Sequence, residues 1–297
     1  MKRQVSAAVV GGSIGGLTTA LLLDHVGFDV TVYERSSREL DGRGGGIVLQ
    51  PEMLRWFKEI SKQNPSKLSI RSSALRYLGP ENSVTYEEPV QWRFSSWSTL
   101  YRALLADFRP DRYFLDHSVA NVQQDLDCAT LFFENGDSAA FDFVIFADGI
   151  TSTGRQLVFP EAVPEYSGYV GWRGTVPENE LSPESMKLMG DALGYAFVDD
   201  GHICMYPIPG PNGEITAGSR LMNYVYYQNV AHGAELDAMM TDIDGIRGIV
   251  SVPPGRVQEK YIREMKKHAT ETLPPATAEL VTKTAQPYIQ VIFDVRV

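Results

Sequence analysis

A glycine-rich turn close to the start of the chain has the residue types that hold a phosphate group. Gly11 permits a tight turn, the small Ser13 leaves room for a pyrophosphate near the backbone, and Gly16 lets the next helix pack closely. Free N–H groups at the N-terminus of that helix would then face the phosphates. Because Ser13 replaces a glycine of the usual pattern, the turn alone is a weak signal. The full turn reads Gly11-Gly12-Ser13-Ile14-Gly15-Gly16.

A carboxylate about 20 residues beyond these glycines strengthens the prediction of a nucleotide site. Glu34 follows an apolar run and would accept hydrogen bonds from both hydroxyls of an adenosine ribose. A free ribose suits a carboxylate, whereas a ribose phosphate would be repelled, so FAD or NAD fits better than NADP. The alternative is a structural glycine turn with Glu34 as an exposed charge. These residues do not separate FAD from NAD.

The elements that must position these residues follow from the hydrophobic pattern. Val5 to Val10 is an uncharged run, which predicts a parallel strand buried on both faces. A helical period starts at Ile14 and ends near Gly27, and a second strand is predicted at Asp29 to Tyr33. Strand, turn, helix and strand make a right-handed crossover unit.

A second polar turn follows another apolar run near the middle of the chain. Phe143 to Ala147 predicts a buried strand, and Asp148 and Gly149 form a turn at its carboxyl end. Ser152 can cap the next helix, and Arg155 supplies a cation. Taken alone, such a turn is common.

The segment from Asp148 to Arg155 resembles the second signature of the FAD-dependent aromatic hydroxylases, which include p-hydroxybenzoate, salicylate and dihydroxypyridine hydroxylases. Four further segments match along most of the chain and look most like the 2,6-dihydroxypyridine hydroxylase branch. They are Gly44 to Pro51, Gly168 to Gly174, Asp199 to His202 and Tyr206 to Gly210.

The resemblance implies an α/β fold, in which a Rossmann-like FAD-binding domain is interleaved with a mixed-sheet α+β substrate domain. Residues 1–73 and 93–165 are then FAD-binding, residues 74–92 are strands of the substrate domain, and residues 166–297 are its main part. The implied reactants are FAD, NADH or NADPH as co-substrate, oxygen, and a small aromatic or heteroaromatic ring. In this family a flavin hydroperoxide hydroxylates a ring that a neighbouring hydroxyl activates.

The site prediction has three parts. The predicted cofactor contacts are Gly11, Ser13, Ile14, Gly16, Glu34, Arg35, Val119, Asp148 and Gly149. His202 is the candidate for the base that removes the ring hydroxyl proton, although a lone histidine is more often structural. Trp172 and Tyr206 are candidates for an aromatic substrate pocket, although aromatic residues on strands are more often core.

The sequence departs from the family in three places, of which the first is Phe146, where relatives often have a glycine. Trp97 stands where many relatives have an arginine that approaches the flavin phosphates. The chain ends at Val297, where relatives run into a Gly-Asp-Ala signature whose aspartate contacts the flavin ribityl chain. We therefore expect weakened FAD retention. Two other functions stay open: a flavoprotein oxidoreductase that transfers no oxygen, and a truncated, non-catalytic remnant.

The composition narrows the class of partner. The 297 residues predict two domains or one large one, and a net charge of −10 without a Lys/Arg cluster argues against nucleic acid. Gln4 to Leu23 lacks charge, but its four glycines argue against a membrane span or signal peptide. Only Cys128 and Cys204 are present, so neither a disulfide framework nor a zinc site is predicted. We expect a cytoplasmic protein with small-molecule partners; a homodimer is left open.

Overall fold

The computed structural model describes residues 3–40 and 45–295, so Gly44 of the first matched segment lies outside the described residues. A four-stranded parallel sheet, an eight-stranded mixed sheet and two three-stranded antiparallel sheets form a mixed α/β structure. The predicted α/β fold class, with a Rossmann-like part and a mixed-sheet part, is confirmed.

The bounds of the elements follow the chain. The strands are β1 (Ser6–Val10), β2 (Asp29–Tyr33), β3 (Gly46–Leu49), β4 (Ile70–Arg71), β5 (Ala74–Leu78), β6 (Val84–Pro89), β7 (Arg93–Ser96), β8 (Tyr113–Phe114), β9 (Val119–Gln124), β10 (Ala129–Phe133), β11 (Ser138–Phe141), β12 (Phe143–Phe146), β13 (Pro164–Pro177), β14 (Ala192–Val198), β15 (Gly201–Ile208), β16 (Leu221–Asn229), β17 (Ser251–Val252) and β18 (Tyr288–Val295). The α-helices are α1 (Ile14–His25), α2 (Pro51–Glu59), α3 (Trp97–Asp107), α4 (Thr153–Val158), α5 (Pro183–Met189), α6 (Ala234–Met239), α7 (Glu259–Thr272) and α8 (Pro275–Lys283).

The parallel sheet has the strand order β12-β1-β2-β8. Its central strand β1 is buried from Ala7 to Val10, as the uncharged valine and alanine run predicts. Since the strands are parallel, their carboxyl ends meet at one edge. That edge carries Gly11, Glu34 and Ala147.

Helix α1 lies unusually close to the turn that precedes it. A Cβ atom on Gly16 would lie 1.7 Å from the carbonyl oxygen of Gly11, so only glycine permits this approach. The buried face of α1, including Leu17 and Leu21, packs against Leu100 and Leu104 of α3. The helix is therefore held by its core contacts with its N-terminus at the sheet edge.

The eight-stranded sheet has the order β17-β18-β13-β16-β15-β14-β5-β6. It takes β5 and β6 from the first third of the chain, between elements that surround the parallel sheet. What we call its far face carries Ile203, Met205 and Tyr226 and packs against residues of α7 and α8. Its near face carries Cys204 and Tyr206, which pack with Phe94 of β7.

The described ranges contain no helix with both the length and the apolar character that a bilayer crossing requires. Nor do three or more metal-binding side chains gather anywhere in the same ranges.

Candidate functional site

A cavity of about 610 Å³ lies at the carboxyl edge of the parallel sheet, and we call it the edge cavity. Its volume is within the range of about 300–1,000 Å³ that small-molecule sites occupy. Seven of the nine predicted cofactor contacts line it: Gly11, Ser13, Glu34, Arg35, Val119, Asp148 and Gly149. The structure thus brings together residues that the sequence separates by more than a hundred positions.

The two remaining predicted contacts, Ile14 and Gly16, lie behind the turn rather than in the cavity wall. Ile14 packs against the core cluster of α1 and α3. Gly16 is buried under the carbonyl oxygen of Gly11. Both therefore shape the site by packing.

Glu34 is fixed by the backbone on both sides of it. The residue is only 6% exposed, and its Oε2 atom accepts the N–H of Gly12 at 2.8 Å. Its Oε1 atom accepts the N–H of Ser36 at 2.9 Å. Each carboxylate oxygen keeps a further lone pair. Glu34 can therefore accept hydrogen bonds from the hydroxyls of a ribose without giving up its backbone contacts.

Asp148 presents an unused acceptor in the cavity wall. Its Oδ2 atom accepts the N–H groups of Thr153 at 2.7 Å and Gly154 at 3.2 Å, at the start of α4. Its Oδ1 atom is buried and has no hydrogen-bond partner among the described residues. Leaving such an acceptor unpaired costs about 1–3 kcal/mol. A ligand with hydroxyl donors, such as FAD, could donate a hydrogen bond to this oxygen.

The N-terminus of α1 supplies the positive end of the site. The side chain of Ser13 makes no capping hydrogen bond, and a Cβ atom on Gly15 would meet nothing within 4 Å. The first N–H groups of the helix therefore border open space, where the helix dipole favours an anion. This arrangement fits the pyrophosphate of a dinucleotide.

The Asp-Gly turn is built as the sequence predicts. The Ser152 side chain accepts the N–H of Arg155 at 2.9 Å and caps α4. The Arg155 guanidinium donates to the carbonyl oxygen of Ile150 at 2.5 Å, so it braces the turn. Arg35 instead spans the rim of the cavity, where it donates to the Thr151 hydroxyl at 3.4 Å.

The edge cavity also contains Trp97, at the position where many relatives have the flavin-phosphate arginine, and Gln290, which no motif indicated. Trp97 begins α3 and stacks on Tyr101, with ring centroids 5.0 Å apart and an angle of 14°. Gln290 lies on β18, so the eight-stranded sheet supplies part of the wall. Gln290 reaches the cavity because β18 pairs with β13, a strand that lies more than a hundred residues earlier in the sequence.

Two transverse rows cross the near face of the eight-stranded sheet. Each row consists of register partners on β14, β15, β16, β13 and β18 in turn. The first row is Tyr195, Cys204, Val225, Arg173 and Tyr288. The second row is Phe197, His202, Tyr227, Gly171 and Gln290. The second row therefore runs from the candidate base to the wall of the edge cavity.

His202 lies among aromatic rings on the near face. Its ring centroid is 4.7 Å from that of Tyr227 and 5.5 Å from that of Phe197. Burial lowers the pKa of His202, which keeps the imidazole neutral and able to accept a proton near neutral pH. Three strand spacings separate it from Gln290, or roughly 14 Å, so it does not line the edge cavity.

Tyr206 and Trp172 do not share a pocket. Tyr206 is on the near face, where its ring lies 4.8 Å from that of Phe94. Trp172 is on the far face, only 1% exposed within the helix-covered core. We therefore withdraw Trp172 from the predicted substrate pocket, because strand alternation points its side chain away from Tyr206. Its neighbour Arg173 points to the near face instead.

A second cavity, of about 580 Å³, borders the near face, and we call it the near-face cavity. Its wall is mostly apolar, with a few polar groups that include Gln50, Lys58 and Tyr195. A mostly apolar wall with few polar groups is typical of a small-molecule site. The sequence indicated none of these three residues individually, since they come from β3–α2 and β14 and meet only in the fold.

Comparisons with known proteins agree with this geometry. A family model described as FAD binding domain-like matches residues 166–294. Over 294 residues the chain is 36% identical to a 2,6-dihydroxypyridine 3-monooxygenase of Paenarthrobacter nicotinovorans, covering 98% of this chain and 72% of that protein. It is 29% identical to a 3-amino-4-hydroxybenzoate 2-monooxygenase of Streptomyces cremeus, covering 70% of this chain and 55% of that protein.

Solved structures show the same likeness. The 2,6-dihydroxypyridine-3-hydroxylase of Arthrobacter nicotinovorans matches with a TM-score of 0.92 and 35% identity, over 99% of this chain and 74% of that one. Klebsiella pneumoniae HpxO complexed with FAD and uric acid matches with a TM-score of 0.70 at 19% identity, over 98% of this chain and 68% of that one, which shows the fold alone. The identity, the shared fold and the edge cavity together show that this chain belongs to the FAD-dependent aromatic hydroxylases, a family of flavoprotein monooxygenases.

Proposed function

We propose that the protein uses FAD and NADH or NADPH to insert one oxygen atom of O₂ into a hydroxylated N-heteroaromatic ring of the hydroxypyridine kind. The observation that carries the proposal is the position of β18. Its residue Gln290 lines the edge cavity and is also the last residue of the second transverse row on the near face. The similarity to the 2,6-dihydroxypyridine 3-monooxygenase supports this ring class. It also favours hydroxylation over the non-oxygenating alternative.

The residues of the edge cavity would hold FAD in distinct ways. The N-terminus of α1 would bind the pyrophosphate, and Glu34 would accept hydrogen bonds from the ribose hydroxyls. The unpaired Oδ1 atom of Asp148 would accept a further hydroxyl hydrogen. When bound, FAD supplies the redox chemistry, since it takes reducing equivalents from the nicotinamide and activates oxygen.

The near face would bind the ring and prepare it for attack. Tyr206 and Tyr227 offer aromatic surface that excludes water, and the neutral His202 would accept the proton of a ring hydroxyl. Loss of that proton makes the ring more electron-rich, so it favours electrophilic hydroxylation. His202 and Tyr206 as site residues remain part of the proposal.

Titration with FAD tests the cofactor part. We expect saturable binding close to one flavin per chain, with a rise in the unfolding temperature. The Asp148→Asn variant should bind FAD about 10- to 100-fold more weakly, because a charge-assisted hydrogen bond is lost. Asp125→Asn is the matched control, since Asp125 also accepts backbone N–H groups but does not line the edge cavity. A folded wild-type protein without FAD binding would rule the proposal out.

Turnover tests the reaction part. With FAD bound, we expect 2,6-dihydroxypyridine to stimulate NADH or NADPH oxidation and to yield a product one oxygen atom heavier, detected by mass spectrometry. Stimulated oxidation that ends entirely in hydrogen peroxide, without a hydroxylated product, would contradict hydroxylation of this ring. Both cysteines are free thiols, which supports our proposal of a reducing, cytoplasmic location. The homodimer remains a prediction.

A further inference from the structure

Arg173 occupies the middle of the near face. It lies on β13, where its register partners are Val225 of β16 and Tyr288 of β18. The side chain is half-buried, and a Cβ atom on Gly45 would lie 3.6 Å from its Nη1 atom. The guanidinium therefore reaches across the near face towards the segment that leads into β3.

The guanidinium has no counter-ion among the residues that the structure describes. Over residues 3–40 and 45–295 the structure gives Arg173 neither an ion pair nor a side-chain hydrogen bond, and its Nε atom is buried without a partner. Two other partly buried arginines are paired: Arg220 with Glu178 at 2.6 Å, and Arg256 with Asp242 at 2.8 Å. A cation withdrawn from water normally has a paired anion. The Arg173 guanidinium can therefore bind an anionic ligand, because the described residues supply no anion to pair with it.

The described residues in the transverse row of Arg173 carry no negative charge. Its row consists of Tyr195, Cys204, Val225 and Tyr288, without a carboxylate. Burial raises the pKa of Cys204 to about 11, although the charge of Arg173 acts in the opposite direction. The thiol and the phenols therefore stay neutral near pH 7 and do not neutralise the guanidinium. An anionic ligand would meet one cation and neutral groups around it.

The spacing between Arg173 and His202 sets the size of the ligand. Two strand spacings of about 4.8 Å and two residues of about 3.4 Å separate their Cα atoms, which gives roughly 12 Å. Both side chains belong to rows on the near face, and a ligand that contacted both of them at this separation would be about the size of one aromatic ring. One ring oxygen could then face the guanidinium while a second faces the imidazole.

We propose that Arg173 binds an ionised ring oxygen of the substrate and so selects rings that carry two acidic oxygens on separate carbons. This inference rests on the proposed function and adds to it the charge state of the bound ring. Arg173 fixes the first oxygen as an anion, and His202 takes the proton of the second. The planar guanidinium suits an oxyanion, because it donates two N–H groups in a fixed geometry.

Binding of 2,6-dihydroxypyridine to the FAD-loaded protein, measured by calorimetry across pH, tests the inference. For wild type we expect affinity to rise as pH rises through the ionisation of the ring hydroxyl. For Arg173→Met we expect a 10- to 100-fold loss of affinity and little dependence on pH, and Arg173→Lys should recover part of both. Arg55→Met, a surface arginine that pairs with Glu59, is the matched control and should bind as wild type does.

Two further readouts separate this role from others. Arg173→Met should keep its affinity for FAD and unfold at an equal or higher temperature, because an unpaired, half-buried charge is removed. Unchanged affinity and pH dependence for the ring in Arg173→Met would overturn the inference, and so would an equal loss of FAD binding. If wild type binds the ring but forms no hydroxylated product, the proposed function fails, while the pH-dependent comparison still decides the role of Arg173.

Discussion

Asp148 and Glu34 show how single carboxylates can be built into the wall of the edge cavity without a counter-ion among the described residues. Both are held by backbone N–H groups, which fix the direction of the side chain. The two side chains differ in the hydrogen-bond acceptor capacity that remains for a ligand. Glu34 offers second lone pairs on oxygens that are already bonded, whereas Asp148 offers an oxygen that accepts no hydrogen bond from any described residue. We expect the Asp148 contact to contribute more to FAD affinity.

Two neighbouring glycines of the turn differ in how closely they approach the backbone. We expect Gly16→Ala to weaken FAD binding and lower the unfolding temperature, because its Cβ atom would lie 1.7 Å from the oxygen of Gly11. Gly15→Ala is the matched control, since a Cβ atom there meets nothing within 4 Å and alanine favours the helix by about 1 kcal/mol. Thermal unfolding measures both, and equal stabilities would contradict the close-packing argument.

The pH dependence of turnover tests His202. Because the folded pKa lies below the usual 6.5, the imidazole is neutral at pH 7 and becomes protonated only as pH falls through that lower value. We expect kcat/KM to decrease on this acid side. In His202→Gln the acid limb should disappear, and the rate should fall by about 10²–10⁴. The exposed His232→Gln is the control. An unchanged profile in His202→Gln would exclude His202 as the base.

The near and far faces of strand β13 contact different parts of the molecule. The far face of β13 packs Trp172 under helices, while the near face presents Arg173 to the site. The sequence predicts that this segment is a strand, because it is rich in aromatic residues with turns around it. It does not fix which alternate residues face the helices, since both sets include large side chains. A shift of one residue exchanges the faces, and for this reason the prediction for Trp172 was wrong.

Contacts between α5 and α8 give an acid-sensitive link on the far side of the sheet. Glu279 of α8 accepts hydrogen bonds from the N–H of Ser182 at 2.9 Å and from the hydroxyls of Ser182 and Ser185. Burial raises the pKa of Glu279, but hydrogen bonds from Lys283 and the two serines outweigh it and hold the pKa at about 2. The carboxylate form is therefore stabilised in the folded protein.

This link predicts how stability changes with pH. The folded pKa is below the ordinary 4.5, so the stabilisation is fully present above that value and is lost as pH falls from 4.5 towards 2. We expect Glu279→Gln to lower the free energy of unfolding at pH 7 by about 1–3 kcal/mol and to reduce its fall below pH 4.5. Glu271→Gln, on the exposed face of α7, should change it by less than about 0.5 kcal/mol. Equal effects would contradict the assignment.

At the scale of the molecule, the edge cavity depends on both large sheets. Gly11, Glu34 and Asp148 come from the parallel sheet, and Gln290 comes from the eight-stranded sheet. The first three could be predicted because each lies in a short motif whose consecutive residues carry the geometry. Gln290 and Arg173 could not, because their positions follow from strand pairings between distant segments.

A cavity with walls from two sheets predicts how ligands stabilise the protein. FAD should raise the unfolding temperature of the whole chain in one transition, because a hundredfold excess over its Kd adds about 2.7 kcal/mol to the free energy of unfolding. ADP, which resembles only the adenosine end, should reach Glu34 and the turn but bind more weakly, and so stabilise less at the same free concentration. Differential scanning calorimetry makes the comparison. Equal stabilisation by ADP and FAD would show that the flavin end meets no part of the second sheet.

The position of Gln290 in the sequence also determines when the wall of the edge cavity is completed during synthesis of the chain. A ribosome makes β1, α1 and β2 first, yet it reaches β18 only after every other strand described here. At about 5–20 residues per second, the two events are roughly 13–52 s apart. During that interval the glycine turn and Glu34 already exist in the nascent chain, but one wall of the cavity does not. Loading of the flavin therefore follows the synthesis of β18, and free FAD is expected to trap chains that already contain β18 rather than to guide earlier ones.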